Sequence, residues 1–210
     1  MIFKNKINNA KVLAIHIAVL IFLMNASYSA DLSKYPDMYI EDRRFNGVFI
    51  VGDNALAEDV IAISDVIGSY NQIGITAGTA KLSKEVSDIY GQNIIVVGNA
   101  CTNPTAAILL ADSSGCFSGL KTDQGMIKLS SKNGHYQLLV GGSTPLGTRH
   151  AASVLSNHKN YNMNGKEVTI TKNSQGKYDL SYNFDLSDFP DLFVSNGNLN
   201  ALIVVGDKSS

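Results

Sequence analysis

Residues 47–70 read GVFIVGDNALAEDVIAISDVIGSY, and this stretch contains the pattern that decides the fold class. Its first six residues are an apolar run rich in β-branched and aromatic side chains, which is typical of a buried strand. After the glycine, four apolar residues recur at the three- and four-residue spacing of one helix face: Leu56, Val60, Ile63 and Ile67. Asp53 or Asn54 is expected to cap the helix. The stretch therefore predicts a strand, a glycine turn and an amphipathic helix.

The same unit recurs along the chain. Residues 73–77 (IGITA) and 93–98 (NIIVVG) are further apolar runs, and the second is continuous enough to predict a strand that is covered on both faces. Each run is followed by a helical pattern, over 80–91 (AKLSKEVSDIYG) and over 103–111 (NPTAAILLA). Pro104 suits the first turn of the second helix.

A hairpin, a helix and a closing strand follow. Residues 126–141 contain two β-rich runs around an Asn-Gly pair, which is the strongest short-range signal for a hairpin. Residues 143–158 (STPLGTRHAASVLSNH) predict a helix that Ser143 or Thr144 caps, and residues 165–171 (GKEVTIT) predict a strand. The alternation of strands and helices predicts an α/β fold, a three-layer sandwich with a mostly parallel sheet and one antiparallel hairpin.

Part of the sequence is repeated. Residues 189–207 (FPDLFVSNGNLNALIVVGD) align without a gap with residues 35–53 (YPDMYIEDRRFNGVFIVGD), at an offset of 154 residues. Six positions are identical, and eight more exchange one apolar or aromatic residue for another. The C-terminal segment therefore reads as the start of a second copy of the domain, whose helix does not follow.

The repeat and the pattern divide the chain into four parts. Residues 1–30 form a secretory signal, 31–175 an α/β domain, 176–188 a linker or edge strand, and 189–210 the truncated start of a second repeat. The strand in the last part cannot bury both faces alone. It is expected either to pair with the edge of the first domain's sheet or to complete a neighbouring subunit by strand addition. The candidate self-association residues are Phe189, Phe193, Leu202, Ile203 and Val204.

The first thirty residues have the composition of a signal peptide. Three lysines precede an apolar run over 12–23, and small residues follow it. An apolar core of 12 residues is too short to span a bilayer, so the pattern favours export over anchoring. Removal of this segment lowers the 17 Lys and Arg to 14 against 18 Asp and Glu, a net charge of about −4. A mildly acidic chain is not expected to bind nucleic acid, and membrane contact is expected only through the cleaved signal.

The two cysteines, Cys101 and Cys116, both lie in the exported part. Their 15-residue separation suits a disulfide that closes a surface loop outside the cell. A two-cysteine metal site is the alternative, but no His or further Cys lies nearby at ligand spacing.

The turns after the strands contain no recognisable nucleotide-binding motif. None reads G-x-G-x-x-G, and Thr148 and Arg149 occupy the positions where a P-loop requires Lys and Ser or Thr. Glycines that allow close packing of strand and helix are the favoured interpretation. Ser143 and His150 are the residues of a weaker hydrolase hypothesis, which lacks an orienting carboxylate nearby. His150 is instead expected to be a solvated residue, like His135 and His158.

The acidic residues do not form a recognisable metal motif. Four aspartates could contribute to a calcium site, although their spacing matches no EF-hand loop: Asp53, Asp59, Asp65 and Asp88. The sequence therefore predicts no cofactor, no catalytic residue and no enzymatic activity.

Several motifs resemble the archaeal S-layer protein family. They are the segment 35–66 that begins YPDMYIEDRRFNGVFIVGDNA, the segment AKLSKEVSDIYGQNIIVVGNACTNPTAAILL, the segment GMIKLSSKNGHYQLLVGGSTPLGTRHAASVL with its following GKEVTIT, and the returning FPDLFV. They cover nearly the whole mature chain in family order. The resemblance implies a secreted, non-enzymatic structural protein of the cell-surface layer, which contacts itself or other S-layer subunits.

A secreted module that binds wall polymer or glycan is the alternative. The repeat supplies aromatic residues that would serve either function if they are exposed: Tyr35, Tyr39, Phe189 and Phe193.

Overall fold

The computed structural model describes residues 30–111, 116 and 119–182, and the backbone of residues 194–195 and 198–199. The predicted signal, apart from its last residue, lies outside the described residues. The same is true of the five candidate self-association residues, Phe189, Phe193, Leu202, Ile203 and Val204.

The strands and helices of the described residues have the following bounds. The strands are β1 (Ile40–Glu41), β2 (Arg44–Phe45), β3 (Val48–Val51), β4 (Ala80–Leu82), β5 (Ile94–Val97), β6 (Gly125–Lys132), β7 (His135–Gly142), β8 (Glu167–Lys172), β9 (Tyr178–Tyr182), β10 (Val194–Ser195) and β11 (Asn198–Leu199). The helices are α1 (Ala57–Gln72), α2 (Pro104–Leu110) and α3 (Pro145–Ser156), and short 3-10 turns lie at Leu32–Lys34, Asp37–Tyr39, Ser83–Glu85 and His158–Asn160.

Seven strands form one mixed sheet in the order β4-β3-β5-β7-β6-β8-β9. The first four strands in this order run parallel to one another, and the three remaining pairs, from β7-β6 onward, are antiparallel. The α/β class is therefore confirmed, and residues 178–182 are an edge strand rather than a linker. β1 with β2, and β10 with β11, form two separate two-stranded ladders.

Helices cover both faces of the sheet. On one face α1 and α3 pack through Ala62, Val66 and Val154 against the side chains of β3, β5 and β7. On the other face α2 and residues 86–89 pack against Ile50, Val96 and Leu139. All four residues of β5 are consequently buried, as its continuous apolar run predicts.

Two predicted elements are wrong. Residues 80–91 are not a helix, because residues 80–82 pair in parallel with β3 and Ser83–Glu85 is a single 3-10 turn. Val86 and Ile89 have helical spacing, but both are buried against the second face of the sheet from an irregular segment. Residues 73–77 are not a strand either, since Thr76 forms only one isolated bridge, with Arg44.

The predicted cap of α1 is also wrong. The helix begins after Leu56, which provides no side-chain cap, and the Asp53 Oδ1 atom instead accepts a hydrogen bond from the backbone N–H of Lys84 at 3.3 Å. The predicted cap of α3 is confirmed at Thr144, and α2 has a cap in Asn103 that was not predicted. Asn103 accepts from the amides of the first turn of α2, and Thr144 accepts from Gly147 N.

The predicted hairpin is confirmed, with β6 and β7 joined at Asn133-Gly134. Both turn residues have positive φ, 55° and 80°, as the favoured two-residue turn requires. Among the described residues, no helix has the length and apolar character needed to cross a membrane.

Candidate functional site

The carboxyl ends of β3, β5 and β7 lie side by side, and the turns that follow them are tightly packed. A Cβ atom on Gly142 would lie 2.3 Å from the backbone carbon of Gly147, and one on Gly52 would lie 2.1 Å from the carbonyl oxygen of Thr102. Real Cβ atoms do not approach backbone this closely. The glycines therefore allow strand and helix to touch, which confirms the packing interpretation of these turns.

A buried carboxyl group lies at this edge of the sheet. Asp59, in the first turn of α1, is fully buried, and its Oδ2 atom accepts a hydrogen bond from the Thr102 hydroxyl at 3.4 Å. Burial raises the pKa of Asp59 above its ordinary value, although hydrogen bonds from the Leu56 backbone and from the hydroxyls of Thr148 and Thr102 oppose the shift. The burial of Asp59 was not predicted, because its partners Thr102 and Thr148 lie far from it in the sequence.

Asp59→Asn tests the effect of this burial on stability. Since the folded-state pKa of Asp59 is raised, the protonated form stabilises the fold at low pH, and that contribution is lost as the pH rises above 3.8 and through the folded-state pKa. The unfolding free energy of Asp59→Asn relative to the native chain is therefore expected to improve between pH 4 and pH 7, as measured by urea denaturation. Glu58→Gln, an exposed change in the same helical turn, is the control for lost negative charge. Because the Glu58 carboxylate contributes to the raised pKa of Asp59, this variant is expected to show a change of the same sign but smaller size. A difference between Asp59→Asn and the native chain that does not change with pH would contradict the prediction.

The structure separates the two residues of the hydrolase hypothesis. The Ser143 hydroxyl donates to the carbonyl oxygen of Lys121 at 2.7 Å, while the His150 Nδ1 atom lies 3.0 Å from the carbonyl oxygen of Asp123. Because a carbonyl only accepts, Nδ1 carries the proton. In the described part of the chain no hydrogen bond joins Ser143 to His150. His150 is 6% exposed and packs beside Tyr178, so its prediction as a solvated residue is wrong.

The four aspartates weighed for calcium are not brought together. Asp65 Oδ2 lies 3.8 Å from the Arg149 guanidinium, and Asp88 Oδ1 accepts from the amides of the two residues that follow Ile89. Asp53 binds the Lys84 amide, and Asp59 is buried as described above. Across residues 30–111, 116 and 119–182, no group of three or more His, Cys, Asp or Glu side chains could hold a metal ion.

The disulfide between Cys101 and Cys116 is present, with the two Cα atoms 4.9 Å apart. The Ala100 amide also donates to the carbonyl oxygen of Cys116 at 3.2 Å. The predicted pairing is therefore confirmed. It closes the loop that follows β5, next to the carboxyl edge of the sheet.

The disulfide is expected to stabilise the domain by constraining the unfolded chain. Mass spectrometry without reductant should show the two cysteines joined. In the double variant Cys101→Ser, Cys116→Ser, the unfolding free energy should fall by about 3 kcal/mol, the value for a loop of this length. Reductant should lower the urea midpoint of the native chain but leave that of the double variant unchanged. Equal midpoints for the two proteins in the absence of reductant would disprove the stabilising role.

The opposite, amino edge of the sheet is covered by residues 30–45, which we call the arm. Its aromatic rings contact five residues that we call the base, namely Phe49, Tyr70, Ile94, Tyr136 and His158. Tyr39 is fully buried, packs 6.2 Å from Tyr136 between ring centroids and donates its hydroxyl to the carbonyl oxygen of Ile94 at 3.2 Å. Phe45 stacks on Phe49 at 4.0 Å.

The start of the arm is fixed beside the base. Tyr35 packs 5.9 Å from Tyr70 and 5.2 Å from His158 between ring centroids. The Leu32 amide donates to the carbonyl oxygen of Gly165 at 2.8 Å. Burial raises the pKa of Tyr35 and lowers that of His158, so it disfavours the charged form of each side chain.

The burial of the arm bears on the aromatic residues that either hypothesis could use. Both need exposed rings for this, and Tyr35 and Tyr39 are only 6% and 0% exposed. These two side chains stabilise the fold of their own domain and cannot form a platform for sugar stacking. The equivalent residues of the second copy lie outside the described residues.

The hairpin of the arm is repeated in structure as well as in sequence. In the arm, Ile40 pairs with Phe45 and Glu41 with Arg44. At the sequence offset of 154 residues, Val194 pairs with Leu199 and Ser195 with Asn198, in the same register. The sequence alignment alone did not predict either hairpin, because strands of two residues leave no periodic signal.

The tight turn of the first hairpin explains part of the sequence change between the copies. Asp42 and Arg43 have φ of 48° and 60°, in the left-handed region that side chains other than glycine rarely adopt. The second copy has Asn196-Gly197 at these positions, the pair that such a turn favours.

A polar groove of about 240 Å³ lies between α1 and α3, on the surface. Its lining includes Asp65, Gly68 and Gln72 from α1 and Ser153, Ser156 and Asn157 from α3. The sequence did not indicate this groove, since its residues come from two distant helices.

No protein-family model matches the chain, and a search among curated proteins finds no relative.

Proposed function

We propose that this chain is a secreted, non-enzymatic structural protein of a cell-surface layer, which acts through protein–protein contacts with copies of itself or with related subunits. The observation that carries the proposal is the repeated hairpin, because a second copy of a docking element is typical of proteins built from tandem units. The resemblance of the strand–helix motifs to archaeal S-layer proteins supports the same function.

Exposed apolar side chains provide a surface for such contacts. Leu56 and Val60 lie one turn apart at the start of α1 and are 47% and 48% exposed, and Leu146, at the start of α3, is 49% exposed. Both helices begin at the carboxyl edge of the sheet, opposite the arm. Apolar groups exposed near one another favour an interaction with another protein surface.

A module that binds wall polymer or glycan is the second candidate. The polar groove between α1 and α3 favours it, because hydroxyl, amide and carboxylate groups converge there in a volume of about 240 Å³. Hydrogen bonds from such groups are what a polyhydroxyl ligand requires.

Assembly of the purified mature protein distinguishes the two functions. A surface-layer protein is expected to form oligomers or ordered sheets, seen by light scattering and electron microscopy, with or without divalent cations. Val60→Glu should reduce this association, whereas Ile108→Glu, an equally exposed change on the opposite face of the sheet, is the matched control. A protein that stays monomeric at every concentration but is retained by isolated wall polymer would overturn the proposal in favour of the alternative.

A further inference from the structure

The base recognises the arm through a small number of well-defined contacts. Three arm side chains account for the aromatic part of the contact, Tyr35, Tyr39 and Phe45, and all of them touch base residues at centroid distances between 4.0 and 6.2 Å. The arm backbone adds the hydrogen bond from the Phe45 amide to the carbonyl oxygen of Thr76 at 3.1 Å. These contacts require two large rings followed by an apolar residue at the end of a tight hairpin.

Residues 189–199, which we call the tail, meet the same requirements. Phe189, Phe193 and Leu199 stand at the positions of Tyr35, Tyr39 and Phe45. The Pro-Asp pair that follows Tyr35 is retained as Pro190-Asp191. The hairpin of the tail, formed by residues 194–199, pairs in the same register as the hairpin of the arm. The tail therefore carries the side chains and the backbone pairing by which the arm docks.

The chain leaves the domain beside the base. Tyr182, the last residue of β9, pairs with Val168 at the start of β8 and donates its hydroxyl to the carbonyl oxygen of Asn162. The arm is held at Gly165, between these two positions in the sequence. Only residues 183–188 separate Tyr182 from the tail. The base of the tail's own domain is already filled by the arm.

We propose that the tail docks on the base of a second copy of this chain, in place of that copy's arm, and that exchange of arm for tail links copies together. When the tail replaces the arm, Phe189 and Phe193 supply two aromatic rings, and Leu199 supplies the apolar side chain at the end of the hairpin. The exchanged contact loses the hydrogen bond from the Tyr39 hydroxyl to Ile94, because Phe193 has no hydroxyl. It also loses the ring contacts of Phe45 with Phe49 and Tyr70, because Leu199 has no ring. The arm is therefore the preferred occupant in the native chain, and weakening the arm favours the tail. The inference goes beyond the proposed function, since it concerns how two copies join and does not require a lattice.

The test uses the full mature chain with the arm weakened by Phe45→Ala, in the absence of divalent cations. Sedimentation velocity is expected to show a weight-average mass that approaches twice that of the single chain as concentration rises. The chain contains no tryptophan, so Phe189→Trp in the same background is a specific reporter of the tail. Its emission should shift to shorter wavelength over the same concentration range. Tyr35→Ala is a second arm variant if Phe45→Ala does not fold.

Two controls make the result specific to the tail. Phe193→Asp added to Phe45→Ala should return the protein to a single chain, because a carboxylate cannot enter the apolar site of Tyr39. Leu139→Ala, a buried change on the other face of the sheet from the arm cluster, destabilises the domain and should not associate. An arm variant that stays monomeric, an association that survives Phe193→Asp, or equal association of Leu139→Ala would each overturn the inference. If the native chain forms no ordered sheets, the surface-layer proposal fails but the docking of the tail is not contradicted. The two proposals can therefore be disproved independently.

Discussion

Gly142→Ala is expected to lower the unfolding free energy by about 3 kcal/mol or more, the upper range for an overpacked site. The added Cβ would lie 2.3 Å from the backbone carbon of Gly147 and 2.4 Å from the amide nitrogen of Thr148. Neither neighbour is a flexible side chain, so relief requires the end of β7 to move away from α3. Urea denaturation followed by circular dichroism measures the change.

Gly68→Ala provides the matched control. Gly68 lies within α1, and a Cβ atom added there would have no neighbour within 4 Å. Alanine should therefore raise the unfolding free energy by about 0.5–1 kcal/mol through helix propensity alone. If Gly142→Ala and Gly68→Ala change the unfolding free energy by similar amounts, the close approach of β7 and α3 does not require glycine at position 142.

Tyr39→Ala is expected to lower the unfolding free energy by about 3–5 kcal/mol, the range for loss of a large buried aromatic side chain. Tyr39 is fully buried between Phe45 and Tyr136, where its removal leaves a cavity that the rigid sheet cannot close. Thermal and urea denaturation both measure this loss.

Tyr39→Phe separates the ring from the hydroxyl. It keeps the packing and removes only the hydrogen bond to the carbonyl oxygen of Ile94, so the expected loss is about 1 kcal/mol. A loss from Tyr39→Ala no greater than that from Tyr39→Phe would mean that the arm contributes little to the stability of the domain.

The strands and helices that could be predicted are those whose signal is local. The buried run of β5, the Asn-Gly hairpin, the proline of α2 and the cap of α3 each depend on a few adjacent residues. The prediction of a helix over 80–91 was wrong, because the helical spacing of apolar residues does not show which surface their side chains pack against. Val86 and Ile89 are buried against the sheet from an irregular segment, because Lys81 and its neighbours pair with β3 as a strand.

The same distinction holds for the candidate site. The disulfide could be predicted, since the 15-residue separation and the predicted export both favour it. The burial of Asp59 and the base could not be predicted, because each depends on residues far apart in sequence. Asp59 meets Thr102 at a separation of 43 residues, and Tyr39 meets Ile94 at a separation of 55. The apolar pattern of a single helix or strand does not predict contacts between residues so far apart in the sequence.

The two ends of the domain lie beside each other at the start of β8, and this determines how the domain responds to mechanical load. A force that pulls on the chain at Leu32 and Tyr182 would act at one edge of the sheet rather than along its strands. β9 is an edge strand, and its pairs with β8 would be loaded one after another from Tyr182 onward. The outer ladder is therefore expected to yield at low force, while the parallel strands and the disulfide-closed loop stay intact. Under tension the domain would extend as β9 separates from β8, and the two strands would pair again when the load is removed.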